Sequence, residues 1–328
     1  MIGFFQQRSP VNVIWLLVFA VVIKLPLFLR PQMPVLKADD PTLYRSLVLW
    51  IQHVGALAPT IFSFLSFLVA FSIGLLLNYF FQQQKMASRP TDLPGMSYLL
   101  LSSFFAEWTY SSAAQWTSLL LIYLLFLLFR LYNQNEARRS LFNMGLAVGV
   151  GAFIFSSTLL LGVWLLLAIL IMRPFRVKEL LLTLLGIFTP FYFYGVWLFV
   201  TDRWSTSQWM PSMGIHFPTI QSSVWLAGAA FLLLIPLLSG AYSISNNSRK
   251  MLIQVRRGWT VLTFLLINAL LIPFVYTDTL GGWQLALIPL AFYHTSFYYY
   301  TTFRIIPLLF FWLSVFFILA NQFSGTAG

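Results

Sequence analysis

The stretch APTIFSFLSFLVAFSIGLLLNYFF (residues 58–81) contains no charged side chain, and runs like it recur along the whole chain, as in SLLLIYLLFLLF (118–129). A bilayer-spanning helix needs roughly 20 mostly apolar residues, so this pattern limits the fold before any motif is considered. Only 8% of the 328 residues are charged and 59% are hydrophobic, whereas an average soluble domain is about 25% charged. So little charge cannot coat a water-facing surface of this size. The runs are solid and do not alternate, which argues against a membrane β-barrel. The expected fold class is all-α: a polytopic membrane helix bundle forming one integral-membrane domain over residues 1–328.

The expected spans are 11–29, 58–81, 96–109, 112–130, 141–156, 158–172, 180–200, 221–241, 259–276, 283–300 and 305–321. That is about eleven, within a range of nine to thirteen for runs of this length. The segment 96–109 and the hairpin 141–172 are short and read as half-inserted or broken helices. With the N-terminus placed in the cytoplasm, 14 of the 19 basic residues fall on the inner side. They include Lys85, Arg89, Arg138, Arg139, Arg173 and Arg257. That bias is what the positive-inside rule expects, and it explains the net charge of +11 without nucleic acid. Most acids divide the other way, with Asp39, Asp40, Asp202 and Asp278 outside and Glu107 at the outer end of a span. No soluble domain is present. The longest outer connections are 30–57 and 201–220. The chain has no cysteine, which rules out disulfides and thiolate chemistry. The N-terminal run lacks a small-x-small cleavage site and reads as an uncleaved first span.

Between the first two long runs lies LKADDPTLYRSLVLWIQH (36–53), with two of the eight acidic residues side by side. Leu43, Leu47, Trp50, Ile51 and Val54 follow a helical rhythm. A segment of this length fits a helix lying in the membrane interface. Asp40 before Pro41 reads as an N-cap followed by proline at the first helical position. Asp39 is one carboxylate more than a cap needs. Either acid can act as a general base if its neighbours tune it, and together they can hold a divalent cation. Arg30, Lys37 and Arg45 suit a lipid phosphate or ordinary anionic headgroups. The second outer loop adds Asp202, Arg203, Trp204 and His216, read either as a cation beside stacking aromatics or as membrane anchors. Glu107, His53 and Asp278 are secondary candidates. Asp278 lies in a turn-like Asp-Thr-Leu-Gly-Gly run, and the isolated histidines make a zinc site improbable. RPFRVKE (173–179) reads as topology-setting charge. His294 reads as a packing residue, and no nucleotide-binding or metalloprotease motif is present.

The acidic pair after the first span, followed by an interfacial helix, resembles the GT-C superfamily of integral-membrane glycosyltransferases, over about residues 1–80 and in the many-span plan. DDPTLYR is similar to the Asp-Pro…Tyr-Arg element of oligosaccharyltransferase catalytic subunits. Tyr44 and Arg45, however, stand one residue closer to Asp40, and the large soluble domain of those subunits has no counterpart. A second resemblance covers nearly the whole chain. SSFFAEWTY, RPFRVKELLLTLLGIFTPFYFYGVWLFVTD and the N-terminal segment look like DUF6427, an uncharacterised multispan membrane family of Bacteroidota. It implies a bacterial inner-membrane protein and supplies no activity.

The GT-C resemblance implies transfer of a sugar from a polyprenyl-phosphate donor on the periplasmic face. Asp39 or Asp40 would then activate the acceptor, and Arg30, Lys37, Arg45 or Arg203 would bind the leaving phosphate. No cofactor is expected beyond a divalent cation at the acidic pair, and the expected partners are membrane lipids, the lipid-linked sugar and other envelope proteins. Two alternatives stand beside it. One is a transporter or lipid flippase, for which GLAVGVGAF and GIFTP would be the broken helices of a midplane site. The other is a non-catalytic membrane subunit of an envelope or secretion assembly.

Overall fold

The computed structural model describes residues 2–324 apart from 8, 37–39, 133, 135, 205–223, 276–279 and 304. Among the described residues every regular element is helical. In chain order they are α1 (Ile2–Phe5), α2 (Asn12–Ile23), α3 (Leu25–Leu29), α4 (Thr42–Gln52), α5 (Ala58–Gln83), α6 (Leu93–Leu101), α7 (Ala106–Thr109) and α8 (Ala113–Leu131). There follow α9 (Arg138–Ala152), α10 (Thr158–Met172), α11 (Val177–Val200), α12 (Val224–Asn247), α13 (Ile253–Val275), α14 (Leu287–Tyr300) and α15 (Ile305–Ser324). A 3₁₀ segment, Leu280–Ala286, leads into α14. Five helices are long and apolar enough to cross a membrane: Gly55–Gln83, Ala113–Leu131, Val177–Val200, Trp225–Lys250 and Ile253–Val275. Each predicted span contains helix in its described part, although several of these helices are shorter than the five.

The local signals are simple. Proline stands in the first turn of α5 and of α6, where its missing N–H costs nothing. Ser112 caps α8 by accepting the Gln115 N–H at 3.2 Å, and Arg130 sits in the last turn of that helix, where a cation suits the helix dipole.

Hydrogen bonds between distant segments define the two ends of the bundle. At one end, the Asp92 N–H donates to Phe5 O, Arg173 reaches Leu131 O and Gln134 O, and Arg257 reaches Met172 O. At the other, Tyr110 donates to Arg30 O, the Leu43 N–H to Phe153 O and Trp108 to Leu280 O. The sequence RPFRVKE takes on a structural role at the first end. Arg173, which is buried, grips both Glu179 oxygens at 3.0 and 3.1 Å and also closes the C-terminal carbonyls of α8.

Two short helices occupy the centre. All nine residues of α6 are buried, as are Leu287–Tyr298 of α14. At 1.5 Å per residue α6 is only about 14 Å long, and the chain breaks at 102–105 before α7. The expected break in the third segment is therefore present. The breaks expected at GLAVGVGAF and GIFTP are not, because α9 runs unbroken through 145–152 and α11 continues through Pro190. The glycines serve close contact instead. A side chain on Gly145 would strike the Thr183 carbonyl, and one on Gly186 the Phe142 carbonyl. Small residues let two backbones meet in this way.

Gly145→Leu or Gly186→Leu is therefore expected to push α11 off α9, at a cost of about 1–3 kcal/mol or more. Thermal unfolding in detergent measures the loss. Gly3→Ala, at a position with nothing within 4 Å of the added carbon, should leave the unfolding temperature unchanged.

Candidate functional site

The acidic loop enters α4 differently from the sequence expectation. Pro41, not Asp40, holds the N-cap position, with φ −61° and ψ 151°, and the helix starts at Thr42. Two amide donors of its first turn, Leu43 and Tyr44, go to the carbonyl of Phe153 at 3.2 and 3.4 Å. A distant backbone acceptor therefore takes part of the capping role expected of Asp40.

The buried face of α4 also differs. Tyr44, Val48 and Ile51 pack on Phe62 and Ala113, with Leu47 partly buried against them, so of the expected stripe only Ile51 is buried and Leu47 partly covered. Leu43, Trp50 and Val54 are exposed, Trp50 at 77%. The helix thus has two apolar faces, one docked on the protein and one uncovered. The sequence showed only a single long stripe, because the wheel cannot say which apolar positions the rest of the chain will cover.

Asp40 is half-buried beside Tyr44. Burial, and then the negative charge of Asp40, push the Tyr44 phenol well above its ordinary value. The phenol stays protonated and keeps a hydroxyl to donate. Arg30 and Arg45 are exposed at the same end of the bundle. The Arg30 carbonyl accepts the Tyr110 hydroxyl at 3.2 Å. Burial raises the Tyr110 phenol, and the nearby Arg30 guanidinium partly offsets the rise. His53, at the C-terminus of α4, donates Nδ1–H to Leu49 O at 2.7 Å, which leaves Nε2 as the free ring acceptor. Lys37, Asp39, His216 and Asp278 lie outside the described residues, and with Asp39 goes the divalent-cation pair.

Two other candidates have structural employment. Asp202 and Arg203 end α11. Asp202 takes a left-handed φ of 52° and its N–H donates to Phe199 O, while the Arg203 N–H donates to Leu198 O. This is the paired closure of a Schellman motif, with aspartate where glycine is usual. The Arg203 and Trp204 side chains are exposed. Glu107 accepts the Gly281 N–H at 2.5 Å at the start of the 3₁₀ segment. Next to it, Trp108 Nε1 donates to Leu280 O and Gln284 Nε2 donates to Trp108 O. Ser112 completes the clamp on Gln284 Oε1 at 2.5 Å.

Lys24 is more prominent in the structure than in the sequence. It stands at the junction of α2 and α3, fully buried, and its Nζ donates to Ser102 O at 3.2 Å, where α6 ends. From Ser102 a polar track runs through Thr109 to Ser66 and Gln115. The signal for it was faint: one lysine within an apolar run and uncharged polar residues two helices away. His294 donates Nε2–H to Leu233 O, a carbonyl in the turn before Pro236, as the packing reading expects.

Residues 41–292 match the model of a family of unknown function (DUF6427). No curated protein and no solved structure matches the chain.

The clamp around the 3₁₀ segment separates structure from chemistry at Glu107. Gln284→Leu strands the Ser112 hydroxyl and the Trp108 carbonyl and should cost about 1–3 kcal/mol. Glu107→Gln keeps an acceptor for Gly281 and should stay within about 0.5 kcal/mol. Unfolding curves of the two variants check both values.

Proposed function

The chain belongs to DUF6427, a family of unknown function, and we propose from its own residues that it is a GT-C-like glycosyltransferase of a bacterial inner membrane. In this reading the chain crosses the membrane about eleven times, with the Asp40 end on the periplasmic side. The supporting observation is the placement of Asp40. It stands just ahead of a helix that is docked on the bundle through Tyr44, Val48 and Ile51 and leaves a second apolar stripe, with Trp50, uncovered. Such a helix suits the boundary between lipid and water, which is where a lipid-linked donor meets a soluble acceptor.

Asp39 or Asp40 takes the proton of an acceptor hydroxyl as that oxygen bonds to the anomeric carbon of the sugar. The bond from that carbon to the phosphate oxygen breaks, and polyprenyl phosphate leaves with the electron pair. Arg30, Lys37, Arg45 or Arg203 meets the charge that develops on it, the term expected to contribute most to such a transfer.

A second reading, transport, is favoured by Lys24. A buried ionisable side chain where two interrupted helices meet is a feature of carrier sites.

In lipid nanodiscs supplied with a panel of polyprenyl-phosphate sugars, Asp39→Asn or Asp40→Asn should lower turnover by at least about 100-fold at unchanged unfolding temperature. If the wild type consumes no donor, and Lys24→Met abolishes solute or lipid movement while Asp40→Asn does not, the transferase reading is wrong and transport replaces it. The orientation has its own check, made simple by a chain without cysteine. Thr42→Cys in intact cells should react with a membrane-impermeant maleimide, and Arg139→Cys should react only after lysis.

A further inference from the structure

At the end of the bundle opposite Asp40, α5 stops in a second left-handed closure. Lys85 has φ 51°, its N–H donates to Gln82 O and the Met86 N–H donates to Phe81 O. The chain then turns along the end of α14, where Tyr299 holds it. The Arg89 N–H donates to the Tyr299 hydroxyl at 3.0 Å, and that hydroxyl is paired with Ser88 Oγ at 2.8 Å. Between the two anchors is a cleft of about 290 Å³ lined by Phe81, Gln82, Lys85, Ser88, Arg89 and Pro90.

Its chemistry has one sign. The Lys85 and Arg89 side chains are exposed, and neither pairs with a carboxylate among the described residues. The nearest acid in sequence, Asp92, is otherwise engaged by Asn12 and Gln82. Ser88 and Tyr299 have two hydroxyl protons and share one bond, so one proton remains to donate to an acceptor. The walls are held by backbone closures at both anchors, which lowers the ordering cost of binding.

We propose that this cleft binds the phosphate group of an anionic ligand through Lys85, Arg89 and the Ser88 hydroxyl. The ligand carries its phosphate either as a lipid headgroup or as a free ion in solution. Arg offers phosphate a forked pair of donors and Lys a compact charge. The site is independent of the transferase reading, because it lies at the other end of the bundle from Asp40.

The test uses the full chain in nanodiscs. One arm counts phosphatidylglycerol molecules retained in native mass spectrometry from a phosphatidylcholine background. The other follows the unfolding temperature in pure phosphatidylcholine as inorganic phosphate is added. The cleft variant is Lys85→Asn with Arg89→Gln, since asparagine tolerates the left-handed backbone. The control is Arg138→Gln with Arg139→Gln, two exposed cations at the same end.

The wild type should hold the lipid or respond to phosphate, whichever is the source. The cleft variant should weaken that response by roughly tenfold, about what losing two charged contacts implies, and the control should keep it. Where the double variant is unstable in phosphatidylcholine, Arg89→Gln alone replaces it, because the backbone bond to Tyr299 remains. The proposal fails if the wild type binds neither probe above background. It also fails if the control loses as much as the cleft variant, which would make the effect one of net charge alone.

Discussion

A chain with so little charge must satisfy its backbone from within, and helix ends are where that requirement is hardest to meet. Several ends among the described residues are closed by residues far away in sequence. Lys24 takes the carbonyl at the end of α6, Arg173 those at the end of α8, the Phe153 carbonyl takes two amides at the start of α4, and Glu107 takes an amide at the start of the 3₁₀ segment. Each closure ties two elements together at a defined point. The short central helix α6 can therefore stop inside the bundle with its terminal Ser102 carbonyl paired, at a site where an unmet bond would cost about 1–3 kcal/mol.

These closures also arrange the charged groups. Because Phe153 and the α5–α8 surface hold α4, Asp40 is presented at a fixed edge of the molecule with Arg30 and Arg45 at the same end. Glu107 and Arg173 are each engaged in such a closure. At the opposite end Lys85 and Arg89 have no carboxylate partner among the described residues.

Much of this was legible in the residues. The uncharged runs named the helices, and the short third segment appears as expected. The packing histidine, His294, does as well. The errors have a common origin. The α4 face was read from periodicity, but periodicity finds apolar positions without saying which surface covers them. The glycines of α9 and α11 were read as breaks, yet their purpose is a contact between Gly145 and Gly186, 41 positions apart. The clamp from Glu107 and Trp108 to Leu280, Gly281 and Gln284 crosses more than 170 positions. No local pattern announces it.

Hydropathy and helix length are sums over neighbouring residues, so the sequence by itself determined an all-helical chain rich in segments suited to a membrane. The acidic loop ahead of an amphipathic helix was equally local. Which carboxylates and cations serve as fasteners and which remain open was decided only by the tertiary structure. A side chain's partner depends on which distant backbone groups are brought to it, and hydrogen bonds act only at contact distance.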